Sequence, residues 1–135
     1  MVIAIIGILA AISIPVMAGY IRSATVRAGA QEMRVALQQG KQRAIRNRQN
    51  ICVQVVAAPF NGYRYLQGGC GGAAIVMPGT DGTGTFRLQN SVTVASGAPV
   101  TFTPLGAATL AGQYTVTAPG GMAINITVSA AGRIQ

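Results

Sequence analysis

The chain has 135 residues, 50% of them hydrophobic and 9% charged, with ten basic and two acidic side chains, no histidine and a net charge of +8. The length is that of one modest domain, but the charged share is far below the ~25% of an ordinary soluble domain, so part of the chain is built for a solvent other than water. Most enzyme chemistry is excluded as well: the commonest general base and metal ligand is missing, and the only carboxylates are Glu32 and Asp81.

From Met1 to Tyr20 there is no charged side chain, and the first charge is Arg22. A helix needs ~20 such residues to cross a bilayer. A removable signal peptide would have a basic flank and a shorter apolar core of ~7–15 residues. Here the run has no basic flank and passes straight into a helical pattern, which argues for a retained anchor. Pro15 lies inside the run, where it removes a backbone donor and crowds the preceding turn, so a kink or loosening is expected there. Gly7 and Gly19 add freedom on either side.

The pattern then becomes amphipathic. Val26, Ala30, Met33, Leu37 and Ala44 share one helical face, and the Gln, Arg, Lys and Ala residues that fill most of the rest are good helix formers. Asn47-Arg48-Gln49-Asn50 reads as the helix end. The first unit is therefore one helix over residues 1–49. At ~1.5 Å per residue it is about 70 Å long, too long to bury in a chain of this size, so lipid or other subunits must cover part of it.

Residues 50–135 change character. Ile51–Val56, Tyr63–Leu66, Thr85–Leu88, Val100–Thr103, Tyr114–Thr117 and Ala123–Val128 are short β-branched or aromatic runs separated by Gly, Pro, Asn and Asp. This is the pattern of an antiparallel β-domain, with Gly-Gly pairs at 68–69, 71–72 and 120–121 marking turns. The fold class is α+β: a long N-terminal helix packed on a C-terminal antiparallel β-domain. The two cysteines, Cys52 and Cys70, predict a disulfide in an exported chain, against the alternative of two buried thiols.

Nothing in the chain makes a convincing metal, cofactor or small-molecule site. Two cysteines alone cannot complete a structural zinc site. Gly68-Gly69-Cys70-Gly71-Gly72 lacks the lysine and hydroxyl of a phosphate loop. Thr80-Asp81-Gly82-Thr83-Gly84 offers one carboxylate and reads as a turn more readily than a calcium loop. The charge that stands out is basic: seven of the ten cations lie from Arg22 to Arg48, and Arg27, Arg34, Lys41 and Arg48 recur every seven residues as one stripe. Three readings stay open for this block: a membrane-orienting flank, a solvated helix face, or an anion-binding surface.

Ile3-Ala4-Ile5-Ile6-Gly7-Ile8-Leu9-Ala10-Ala11-Ile12-Ser13-Ile14-Pro15 resembles the N-terminal helix of type IV pilins and type II secretion pseudopilins. The remainder is similar to the GspH/FimT branch: Gln38–Asn47 to its helix end, Phe102-Thr103-Pro104-Leu105-Gly106 to its central strand and turn, and Ile126–Gln135 to its C-terminal strands. Family precursors also carry a basic leader, a cleavage site, a phenylalanine and a glutamate ahead of the matching segment, and no residue here takes that glutamate's role. The resemblance implies a subunit of a type IV pilus-like or pseudopilus filament. It would sit in the bacterial inner membrane before assembly and in a periplasmic or extracellular filament afterwards. Its partners would be copies of itself in a helical filament or other pilin-like subunits. Ile5, Ile6, Gly7, Ile8, Leu9, Ile12, Ile14 and Pro15 would pack in the filament core. Some FimT-like minor pilins capture DNA with arginines near the C-terminus, and Gly132-Arg133 matches that pattern. A DNA-binding minor pilin of a DNA-uptake pilus is thus the alternative function, with Arg43, Arg46 and Arg133 as its candidate residues.

Overall fold

A computed structural model of the chain describes residues 2–89 and 91–135. Helix α1 spans Val2–Asn47. It runs through Pro15 without ending, so the expected weak point does not divide the element. The end falls where the polar run predicts it, through a Schellman closure: Gln49 N–H donates to the Ala44 carbonyl (3.2 Å) and Arg48 N–H to the Ile45 carbonyl (3.4 Å). Such a closure needs a left-handed residue, usually glycine. Arg48 takes the role, with φ of 53°.

Among the described residues seven strands follow: β1 Ile51–Val56, β2 Gly62–Gln67, β3 Thr85–Arg87, β4 Thr93–Ser96, β5 Val100–Phe102, β6 Gly112–Thr117 and β7 Ala123–Val128. They form two antiparallel sheets, ordered β3-β2-β1-β5 and β4-β6-β7. Ile51 lies opposite both Gln67 and Phe102, so β1 is central in the larger sheet. In the smaller sheet β6 is central, pairing Tyr114 with both Ser96 and Ile126. The six expected runs all lie in or overlap strands. β4 is the additional one; Val94 within it and Val92 just before it are both buried.

The core forms where the C-terminal half of α1 lies against both sheets. Val26, Ala30, Met33, Leu37 and Ala44, the predicted face, are all buried, together with Ala36. They meet Ile51, Val53, Tyr65 and Phe102 of the larger sheet, Tyr114, Val116 and Ile126 of the smaller one and Val92 just before β4 in one continuous cluster. Each large side chain so buried contributes roughly 1.5–3 kcal/mol. Two helix glycines permit the close approach. A Cβ at Gly40 would stand 2.7 Å from Val53 Cγ2, and one at Gly29 would stand 2.8 Å from Val92 Cγ2. Gly40 seats the helix on the larger sheet and Gly29 seats it on the smaller.

Two tyrosine hydroxyls finish these contacts. Tyr65 Oη donates to the Ala36 carbonyl at 2.7 Å, fastening β2 to the helix. Tyr114 Oη donates to the Val53 carbonyl at 2.8 Å and accepts from Val100 N–H at 2.9 Å, so one phenol of β6 joins two strands of the other sheet. Tyr114 is wholly buried. Tyr114→Phe removes a partner from a buried donor and a buried acceptor, and a loss on the order of 2–3 kcal/mol is expected. Burial raises the Tyr114 phenol from 10.0 to about 12, the Val100 N–H opposing the rise. An unfolded chain loses this proton near the ordinary value and the folded chain only near the raised one. Stability is therefore whole below pH 10 and falls as pH climbs towards about 12. Thermal melts of wild type and Tyr114→Phe across that range check both effects. A wild-type melting temperature that holds flat to pH 12, or a variant as stable as wild type at neutral pH, would contradict them.

Candidate functional site

The N-terminal half of α1 has no packing partner among the described residues. Every described residue from Val2 to Arg22 is exposed, including Ile5, Ile6, Gly7, Ile8, Leu9, Ile12, Ile14 and Pro15, the residues expected to pack in a filament. Helix α1 is long and apolar enough to cross a membrane, its most apolar 18-residue window having a mean hydropathy of 2.5 with none of it buried. Exposed apolar surface of this extent marks a binding face. Gly7 and Gly19 have no atom near enough to meet an added Cβ. Unlike Gly29 and Gly40, they make no close approach inside the subunit.

The candidate arginines fall in two places. Arg43 and Arg46, three positions apart on one helix face, line a groove of about 280 Å³ with Gln39 and Gln42. The Arg43 guanidinium lies 5.4 Å from the centre of the Tyr65 ring, and Gln67 Nε2 donates to Gln49 Oε1 near the helix end. Burial raises the Tyr65 phenol well above its ordinary range, with the Tyr63 phenol adding to the rise and the Arg43 charge opposing it. Arg133 belongs to the C-terminal hairpin. Its carbonyl accepts from Ser129 N–H (2.9 Å), and the neighbouring Gly132 carbonyl accepts from Lys41 Nζ (3.1 Å). Lys41 projects about 200° around the helix from Arg43. The structure thus joins Arg43 with Arg46 and places Arg133 beside Lys41.

The heptad stripe is not uniform either. Arg27 and Arg48 are exposed while Arg34 and Lys41 are half-buried, and Arg34 Nε is buried without a hydrogen-bond partner. The contact between Lys41 and the hairpin was not legible in the sequence, because it depends on residues 91 positions apart.

The carboxylates are separate and occupied differently. Asp81 Oδ1 accepts from Thr83 Oγ1 (2.6 Å), Thr83 N–H (2.9 Å) and Thr85 N–H (3.0 Å). The Thr83 hydroxyl and Thr85 amide are the main reasons its carboxyl is held below the ordinary value. This is a closed turn. Glu32 is half-buried on α1, and its charge adds to burial in raising the Tyr63 phenol. Cys52 and Cys70 form the expected disulfide. It ties β1 to the glycine loop after β2, where Gly68 N–H also donates to the Asn50 carbonyl (2.8 Å).

Comparison with known proteins gives one family and two kinds of structural relative. The profile described as type II transport protein GspH matches residues 29–132. The type IV minor pilin FimU of Pseudomonas aeruginosa is similar in fold, with a TM-score of 0.59 at 18% identity over 86% of this chain and 90% of that one. The minor pseudopilin EpsH from the type 2 secretion system of Vibrio cholerae is similar at a TM-score of 0.60 and 15% identity, over 82% of this chain and 94% of that one. At these identities the likeness is one of fold. No curated protein matches the chain in sequence.

Proposed function

Because the chain belongs to the GspH family of type IV pilin-like and pseudopilin proteins, we propose that it is a structural subunit of a type IV pilus-like or pseudopilus filament. It polymerises through residues Ile5–Pro15 of α1 and performs no catalysis. The observation that carries this reading is the division of α1. One face of its second half is buried in the domain core, while its uncharged first half, Val2–Ile21, is exposed at every position and packs on nothing among the described residues. Lipid covers that half before assembly, in the inner membrane, and the equivalent helices of neighbouring subunits cover it afterwards. Residues 1–49 then form the shaft and residues 50–135 the outer surface, in the periplasm or outside the cell. Head-to-tail contacts that do not close on themselves build a helical polymer.

Charge bears on which neighbours it has. Ten cations meet two carboxylates, and one of these, Asp81, is already engaged by Thr83 and Thr85. Copies of this chain packed helix to helix would repel, which favours a mixed filament with other pilin-like subunits over a homopolymer. Quantitative mass spectrometry of filaments sheared from cells tests the reading. The chain should be present, at lower copy number than a second pilin-like subunit. Its absence from the fibre fraction would contradict the proposal.

The second reading, DNA capture, is supported by the Arg43–Arg46 groove alone, since Arg133 stands beside Lys41. Under it the same fibres would bind duplex DNA with a steep salt dependence, abolished by Arg43→Ala with Arg46→Ala. Under the structural reading the fibre has no useful affinity for DNA at physiological salt.

A further inference from the structure

We propose that the groove where α1 leaves the apolar span, beside the β6–β7 turn, binds the phosphate of a glycerophospholipid headgroup. The inference rests on the reading of α1 as a membrane anchor. Val2–Ile21 is an uncharged helix of about 30 Å, the thickness of a bilayer's hydrocarbon core. Tyr20, 74% exposed, stands where aromatic side chains mark the membrane interface. Arg22 is the next polar group, so its guanidinium lies at headgroup depth.

The β-domain reaches down to the same level. A groove of about 430 Å³ is lined by Ile21, Arg22, Thr25, Ser91, Pro119 and Gly120. The turn between β6 and β7 gives the arginine its place. Gly120 has φ of +106°, and a Cβ there would stand 3.4 Å from Cδ and 3.5 Å from Nε of Arg22. The arginine stem lies along the turn backbone, and no side chain from residue 120 crowds it. Met122, at the end of the turn, is 46% exposed. The groove therefore pairs a guanidinium and a serine hydroxyl with apolar walls at Ile21 and Pro119, the composition of a lipid interface.

Arg22 has no carboxylate to serve within this chain's first turns. Glu32 stands ten residues further along α1, about 15 Å, and Asp81 is held by Thr83 and Thr85. A guanidinium at this depth is matched by a phosphate, which accepts its planar N–H groups in pairs. Basic pockets beside membrane helices hold headgroups by the same chemistry.

The test is native mass spectrometry of the full chain released from nanodiscs of phosphatidylcholine containing phosphatidylglycerol. Wild type should retain a phospholipid. Arg22→Gln should cut retention about fivefold, and Ser91→Asp should do the same by placing a carboxylate against the arginine, while Arg27→Gln, which removes an equal charge outside the groove, should not. Equal losses in Arg22→Gln and Arg27→Gln would overturn the proposal in favour of general charge attraction. Equal retention of diacylglycerol, which lacks the phosphate, would overturn it too. Displacement by millimolar inorganic phosphate would reassign the groove to a soluble anion and likewise overturn the lipid proposal. Failure of the anchor reading looks different, because the chain would then not be recovered in nanodiscs at all.

Discussion

Ile8→Asp is expected to abolish incorporation into filaments while leaving the β-domain folded. Ile8 is 63% exposed in the isolated chain and stands eighteen positions before the first buried helix residue, Val26. The folded domain therefore does not notice the change, and its melting temperature should stay within a degree or so of wild type. In a bundle of apolar helices the new carboxylate has no partner, and an unpaired charge in such surroundings costs several kcal/mol. A single aspartate in a helix centre costs ~2.5–3.5 kcal/mol on membrane-insertion scales, which a long apolar span absorbs. The variant should accordingly remain in the membrane fraction and disappear from sheared fibres, while Ile8→Leu assembles normally. Fibres containing the aspartate variant at wild-type level would remove the helix from the assembly mechanism.

The second large effect concerns the Cys52–Cys70 bridge. Cys52 is fully buried in β1, opposite Leu66 of β2 and Thr101 of β5. Cys70 sits between two glycine pairs, Gly68-Gly69 and Gly71-Gly72, a segment with unusual freedom when unfolded. The sequence separation is 18 residues. In the chain-entropy account a loop of this size contributes roughly 3 kcal/mol, which corresponds to a melting shift on the order of 10–20 °C for a domain this small. Cys52→Ser with Cys70→Ser, or reduction with a thiol reagent, should lower the melting temperature by that amount. The serine hydroxyl at position 52 adds a buried polar group, so Cys52→Ala with Cys70→Ser serves as the cleaner variant. A change below ~1 kcal/mol would show that the β1–β2 hairpin register holds the loop without the bridge.

The helix was legible because its signal is long and local. A charge-free run and then a repeating apolar face determine both halves, and every residue assigned to that face is buried. The disulfide was legible from an even cysteine count in a chain whose apolar N-terminal run reads as a membrane anchor. β4 escaped because Thr93–Ser96 sets only two β-branched residues beside Ala95 and Ser96 and carries no aromatic residue, so little of it shows strand preference. The division into two sheets could not be read from strand patterns, since it depends on pairings such as β1 with β5 and β4 with β6, across intervening chain. Gly29 and Gly40 look like helix weaknesses in sequence; only packing reveals them as contact points with Val92 and Val53. The arginines show the same limit. Arg43 and Arg46 are neighbours by helical spacing, which sequence supplies, whereas the position of Arg133 follows from the hairpin that places Gly132 on Lys41.

If the apolar half of α1 is covered by other subunits in a filament, a thiol placed there must become inaccessible on assembly. Ile8→Cys places a thiol in the middle of the uncovered helix. Leu105→Cys places one on the β5–β6 turn, where the leucine is 93% exposed. Both are labelled with a water-soluble maleimide, once as detergent-dispersed subunits and once as intact sheared filaments. Position 105 should react at similar rates in both states, while position 8 should react in the dispersed subunit and be protected in the filament. Equal labelling of position 8 in filament and dispersed subunit would contradict coverage of the helix by other subunits.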